Sequence, residues 1–294
     1  MNKARQTGFT TIELVTVLAI IAMLVAILLP AVTAVRSMAV QAKQQAQFTA
    51  IGAALTAFRN DYGDYPPSTG FVYGPGYTDY CGAQKLCEAL LGWDLMGFHP
   101  DSEFRSDGHT AGGRFIYDPG DAVEMARRKD RYLELDNVTA FRLGNAPGQA
   151  LYNNIDRLRD NINPDTFVLC DVFAIKRITM PNGAAVKAGS PILYYRANRS
   201  AQGLMRPDPD IYDYRDNLIL VTLGRITDGQ KPLPNQTLEG RQNFCEKITD
   251  WKLPTVNRAD STTWYPHRPD SYILISAGPD GLYGTADDIT NFDN

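Results

Sequence analysis

A chain of 294 residues with 29 basic against 33 acidic side chains carries a formal charge of −4, a mildly acidic balance that argues against nucleic acid as the main partner. The length leaves room for one apolar helix and a folded core of more than 200 residues, and the 15 tyrosines, 24 glycines and 18 prolines suit a loop-rich domain with short strands. No Gly-x-Ser-x-Gly, His-Glu-x-x-His or Gly-x4-Gly-Lys-[Ser/Thr] pattern occurs, so no motif points to catalysis and the chain is read as a non-enzyme.

Residues 1–8 form a short leader ending in Gly8, with Lys3 and Arg5 and no acid. The positive-inside bias keeps such a segment cytoplasmic and sends the rest of the chain outward. Residues 9–32 then read as an apolar helix. Leu14 to Val32 carries no charge and, at about 1.5 Å per residue, is long enough to cross a bilayer's hydrocarbon. A secretory signal places its small-residue cleavage site after the apolar core, whereas the Gly8-Phe9 junction lies ahead of it; cleavage there leaves the apolar segment on the mature chain, at a charge of −6.

Glu13 sits at the mouth of this segment. An acid at the centre of a membrane helix costs roughly 2.5–3.5 kcal/mol, and an intramembrane carboxylate has a partner or a task. At the segment's edge the cost is smaller, and the macrodipole favours an acid in a first turn, so position alone leaves both readings open. Pro30 removes a backbone donor inside the helical pattern and is expected to kink or locally melt it.

Residues 33–62 continue the helix with one apolar stripe, Phe48, Ile51, Leu55, Phe58 and Tyr62, at three- and four-residue steps. Arg36, Gln41, Lys43, Gln44, Gln45 and Gln47 are read as its polar surface, and the stripe as the face that packs under a sheet. Gly63, Pro66 and Pro67 stop the helix, Gly63 as a left-handed cap. Residues 63–294 form the head. A short helix is expected near Ala83 to Leu91, and strands at Arg114–Asp118, Tyr132–Leu135, Thr166–Phe173, Pro191–Arg196, Leu218–Leu223 and Ser271–Ser276. Long separations between them favour an antiparallel sheet with large loop insertions, an α+β fold, over repeated βαβ units.

Cys81, Cys87, Cys170 and Cys245 all lie on the exported side, where disulfides persist, and allow three pairings. A local Cys81–Cys87 loop with Cys170–Cys245 as a long-range staple is the expected one; four buried free thiols are the alternative. The spacings do not suit zinc. The last strand leads into a loop, 277–290, where glycines space Asp280, Asp287 and Asp288. Hard oxygens on a flexible loop suit Ca²⁺, although the EF-hand pattern is absent and a pair of acidic turns explains the composition as well.

Gly8-Phe9-Thr-Thr-Ile-Glu13-Leu14 followed by an uninterrupted apolar run resembles the N-terminus of type IV pilins and of the pseudopilins of type II secretion, over about a tenth of the chain. Tyr65-Pro66 after the helix is similar to the helix exit of major pseudopilins. The resemblance implies a pilin-like fold, with a long N-terminal helix packed on an antiparallel sheet. It implies cleavage after Gly8 by a prepilin peptidase, methylation of Phe9, and Glu13 attracting the α-amine of a neighbouring subunit during assembly. It further implies a single-pass protein of the bacterial inner membrane with a periplasmic head. Its partners would be copies of itself, other pseudopilins and an inner-membrane assembly platform. A structural Ca²⁺ would sit in the C-terminal loop, with Asp287 and Asp288 as ligands, Asp280 next, and oxygens from Thr285 and from Leu282 or Tyr283. The head is about twice the size of a typical major pseudopilin's, which keeps a type IV pilin or minor pilin, and a membrane-tethered binding domain, open as alternatives.

Overall fold

The computed structural model describes residues 10–69, 80–135, 138–144, 149–153, 155, 162–180, 183–207 and 209–292, in two compact units, Met1–Lys43 and Gln44–Asn294. Gly8 and Phe9 lie outside the described residues.

Helix α1 spans Thr11–Tyr62. The first unit holds its apolar part, whose large side chains from Ile12 to Met38 are exposed. This is the one described helix long and apolar enough to cross a membrane. Of the kink or local melt expected at Pro30, the melt does not occur: α1 is continuous through it, and Thr33 donates its hydroxyl to the Pro30 carbonyl at 2.8 Å. Helix α1 ends as anticipated. Gly63 adopts φ 82° and its N–H closes on the Arg59 carbonyl at 2.8 Å, the left-handed cap that glycine permits without a Cβ clash.

The second unit is mixed α+β, with small antiparallel sheets. Strands β1 (Thr139–Arg142) and β2 (Phe167–Cys170) pair, as do β3 (Lys176–Thr179) and β4 (Ala185–Ala188). Strands β5 (Leu193–Arg196), β6 (Tyr272–Ser276) and β7 (Ile289–Thr290) form a third sheet in the order β5-β6-β7, with Tyr194 opposite Leu274. Strand β2 is stitched to the residues ahead of β5: Ile192 N–H donates to Leu169 O at 2.8 Å and Asp171 N–H to Ser190 O at 2.9 Å.

Side chains of these strands alternate between two cores. Leu169, Ile192, Tyr194, Tyr272 and Leu274 pack with Phe48, Ile51, Leu55 and Phe58 of α1 and with helix α2 (Gly82–Leu91). Val168, Cys170, Leu193, Tyr195, Ile273 and Ile275 face the opposite way, against helices α4 (Leu218–Leu223) and α5 (Arg241–Ile248) and Trp264. A strand buried on both faces reads as an unbroken apolar run, and Tyr272-Ile-Leu-Ile-Ser276 is one, buried at all five positions. Helices α4 and α5 with Trp264 therefore supply a second covering layer over the sheet. Helix α3 (Ala122–Arg127), capped by the Asp121 carboxylate, belongs to a side lobe held by buried polar groups: His99 Nε2 meets Glu124 at 2.8 Å, and Glu88 accepts from Ser102 at 2.5 Å and from Tyr117 at 2.8 Å.

Three strand assignments are corrected. Leu218–Leu223 is helix α4, because a short apolar run fits a buried helix as well as a strand, and here it extends a 3₁₀ turn at Tyr214–Asn217. Arg114–Asp118 makes only an isolated bridge between His109 and Phe115, and Tyr132–Leu135 is irregular, with Tyr132 N–H on the Leu90 carbonyl. Gln44 and Gln47, assigned to the polar surface, are buried.

Candidate functional site

Two places carry the sequence-assigned functional residues, and each is built locally. At the start of α1, Thr10 and Glu13 form a reciprocal capping box. Glu13 N–H donates to Thr10 Oγ1 at 3.3 Å, while the Glu13 carboxylate accepts from Thr10 N–H at 2.9 Å and from its hydroxyl at 2.7 Å. Spacing Thr-x-x-Glu satisfies two of the helix's orphan donors and gives the acid a role within its own chain. That pattern was present in Thr10-Thr-Ile-Glu13, and charge reasoning alone passed over it. The Glu13 carboxylate is exposed at its helix start, so it remains accessible to a further cationic group.

The second place is the connection from β6 to β7. Gly278 adopts φ 65°, and a Cβ there would collide with the Asp287 carbonyl, so only glycine lets the two ends of the loop close. Asp287 then accepts from Asp280 N–H at 3.1 Å and from the Thr285 hydroxyl at 2.5 Å, and the same hydroxyl lies 3.2 Å from Leu282 O. Asp280 accepts from Leu282 N–H at 2.8 Å. Burial pushes the Asp280 carboxyl upward, and the neighbouring Asp287 charge adds to that push. Two carboxylates, a carbonyl and a hydroxyl with one proton to give thus share one small centre. Such hard oxygens match what Ca²⁺ takes.

Asp288 does not join them. Its side chain is fully buried, with Lys247 Nζ 3.2 Å from Oδ2 and Gly284 N–H donating at 2.8 Å. Burial raises its pKa to about 7, with Lys247 and the Gly284 amide opposing. Of the three carboxylates expected as ligands, the fold brings Asp287 and Asp280 together and sets Asp288 on Lys247, and among the described residues no group of three His, Cys, Asp or Glu side chains gathers to hold a metal. Lys247 was missed because it lies 38 residues upstream of Thr285 in sequence, on α5.

All four cysteines are buried free thiols, so the expected pairing is replaced by its alternative. Cys81 and Cys87 bracket most of α2, and six residues along a helix span about 9 Å, beyond the roughly 7 Å that a disulfide bridges. They also face opposite cores. Burial pushes the Cys81 and Cys245 thiols up to about 12 and raises the other two.

A cavity of about 540 Å³ opens beside the acidic segment 207–216. Its guanidinium groups are engaged by carboxylates, Arg196 by Asp64, Arg215 by Asp213 and Arg241 by Asp210, each at 2.6 Å. No family model, curated protein or solved structure matches this chain.

Proposed function

We propose that this protein is a structural subunit of a type II secretion pseudopilus. It is cleaved after Gly8, methylated at Phe9 and polymerised through helix α1 to drive protein export. The observation that carries the reading is the placement of Gly8-Phe9 and Glu13 directly ahead of an exposed apolar helix whose continuation, Gln44 to Tyr62, forms one cover of an antiparallel sheet. An apolar helix with no protein covering it in the isolated chain needs lipid or neighbouring helices around it. In this reading the chain is single-pass in the bacterial inner membrane, its head periplasmic, until assembly platform and neighbouring pseudopilins draw it into the fibre.

Glu13 then exchanges its capping partner Thr10 for the α-amine of a neighbouring Phe9. Charge neutralisation in a low-dielectric surrounding supplies the specificity of that exchange. In the same reading, Asp280, Asp287, Thr285 and the Leu282 carbonyl hold a structural Ca²⁺ that steadies the end of the head. The ion would cancel the repulsion of the paired carboxylates.

Co-expression with a prepilin peptidase, intact-mass analysis of the membrane form and imaging of shear-released material test the proposal. Loss of residues 1–8, one added methyl and visible fibres are expected, and Glu13→Leu should remain processed while failing to enter fibres. An uncut monomer, or normal fibres from Glu13→Leu, would remove it. The second covering layer, α4 and α5 over the far face of the sheet, favours one other position for the chain, that of a minor or adhesive type IV pilin. Sparse labelling at fibre tips would select that position over the shaft.

A further inference from the structure

The side lobe buries an imidazole whose two nitrogens both have partners. His99 has no exposed surface; its Nδ1 accepts from Asp101 N–H at 3.1 Å, and its Nε2 lies 2.8 Å from Glu124 Oε2. A ring nitrogen that accepts an amide carries no proton, so this is the neutral tautomer that donates from Nε2 to Glu124. Two acids and two guanidinium groups surround it. Arg114 holds Glu124 at 3.0 Å and Asp101 at 2.5 Å; Arg127 holds Asp101 at 2.7 Å and lies 3.7 Å from Glu124. Behind the ring, His99 N–H donates to the Tyr117 hydroxyl at 3.3 Å, which donates onward to Glu88 of α2. Ser102, Tyr80 and Lys85 also face Glu88, and Arg128, paired with Asp94, lies over the Tyr117 ring.

The residue before His99 joins this cluster to helix α1. Phe98 packs edge-on against Phe58 and against Tyr62, each at 5.2 Å between ring centres. Its carbonyl accepts Lys129 N–H at 2.8 Å, which ties the two ends of the lobe together. We infer that the side lobe, residues 98–129, is an acid-released latch on the last turns of α1, opened by protonation of His99.

Geometry and charge both oppose a second proton on this ring. Its only place is Nδ1, where the Asp101 N–H already points, so two donors would face each other. With His99 neutral, the two arginines and two acids sum to zero. An imidazolium would leave one uncompensated charge on a side chain that no water reaches. Burial accordingly lowers the His99 pKa; Glu124 and Asp101 oppose the shift, and Arg127 adds to it. A histidine freed by opening titrates near its ordinary value of about 6.5. The closed lobe therefore binds fewer protons at His99 than the open one, and this part of its stability is lost as pH falls below that value. Glu88 acts in the other direction, because burial raises its pKa and the closed lobe keeps a proton there that the open one releases. The imidazole's share is thus read against a chain that keeps Glu88 and lacks only the titrating ring.

The test is hydrogen exchange of the full-length chain in detergent, compared with His99→Gln, whose side-chain amide can donate to Glu124 but takes no charge. It is read at the amides of Ser102, Ile116 and Lys129, which bond the carbonyls of His99, Gly108 and Phe98 inside the lobe. At each pH the two chains share the chemical exchange rate and Glu88, so the ratio of their opening isolates the imidazole. The ratio of parent to variant should rise at least about threefold from pH 7.5 to pH 5, with about thirtyfold as the ceiling for a group that titrates near 6.5 when open. A smaller rise, or none, would overturn the latch. Imidazole ¹⁵N shifts of the parent chain give a second reading that holds even where His99→Gln leaves the lobe open at both pH values. His99 should show the Nε2–H tautomer at pH 7.5, and its protonation should share one midpoint, below about 6.5, with loss of protection at the three amides. A charged His99 in a lobe that stays protected, or an Nδ1–H tautomer at pH 7.5, would overturn it. Residues 58–62 of α1 should lose protection at the same midpoint, and unchanged exchange there would overturn the link between lobe and helix.

Discussion

The side-chain amide of Gln47 donates to the carbonyl of Cys170 at 2.9 Å, joining the buried face of helix α1 to the end of strand β2. One turn earlier Gln44 accepts from Val172 N–H at 3.1 Å, and Gln45 donates to the Thr290 carbonyl at 3.2 Å. Strand ends leave backbone groups without ladder partners, and the glutamines supply them. Replacing Gln47 with leucine keeps bulk but leaves the Cys170 carbonyl short of a donor inside the core, at a cost of about 1–3 kcal/mol. A urea titration of the full chain in detergent should show a lower midpoint with an unchanged slope. An unchanged midpoint would mean that water replaces the amide.

Asp216 sets the sign of one pH response. It accepts from Ser68 at 2.5 Å through Oδ2, while Oδ1 is buried with no partner among the described residues. Burial raises its pKa from 3.8 to about 7; Ser68, Lys85 and Arg215 oppose the rise, and Asp213 adds to it. The buried Tyr195 of β5 faces it as well. The folded chain therefore holds a proton that the unfolded chain has released, so stability falls as pH rises from about 4 to about 7 and levels off above that. Asp216→Asn should flatten this decline, so that its fall in Tm between pH 4 and pH 8 is smaller than the parent chain's. Asp171 and Glu88, also raised by burial, act in the same direction, so part of the slope persists. A parallel profile in the variant would remove Asp216 from the account.

The cysteines behave as small core residues. With thiols raised by burial, the thiolate that reacts with alkylating reagents is scarce, and access is closed as well. Iodoacetamide should leave the native chain nearly unlabelled and modify four sites once urea is added, and reductant should not move Tm. A native mass short of two hydrogens for each bond would show that the cysteines pair after all.

Much of this architecture was legible because apolar periodicity marks elements that bury a face. The stripe from Phe48 to Phe58, the helix at Gly82–Leu91 and the runs that became β2, β5 and β6 all stand out for that reason. Strands β3 and β4 did not, because only Ile178 and Ala188 are buried there, although Asn182-Gly183 was an available hairpin signal. Gln44 and Gln47 were misplaced since a polar residue on an apolar stripe reads as surface until its backbone partners, more than a hundred residues away, are known. Lys247 hides for the same reason. The loop's composition pointed to the site, but the division of its carboxylates depends on a tertiary contact.

The C-terminal loop also depends on backbone conformation, which separates its two roles experimentally. Chelator should lower the Tm of the full chain, and Asp287→Asn should abolish that response by removing a carboxylate from the shared centre. Gly278→Ala should do so without touching a carboxylate. At φ 65° an added Cβ is strained, and here it would also strike the Asp287 carbonyl, so loop closure is lost. Gly63→Ala is the control, because Gly63 has a similar φ of 82° and open space around its Cβ. It should lose about 1 kcal/mol from conformational strain alone and keep its chelator response. If Gly278→Ala keeps that response too, the loop binds its ion without the tight turn, and the contact between its two ends is only a matter of folding stability.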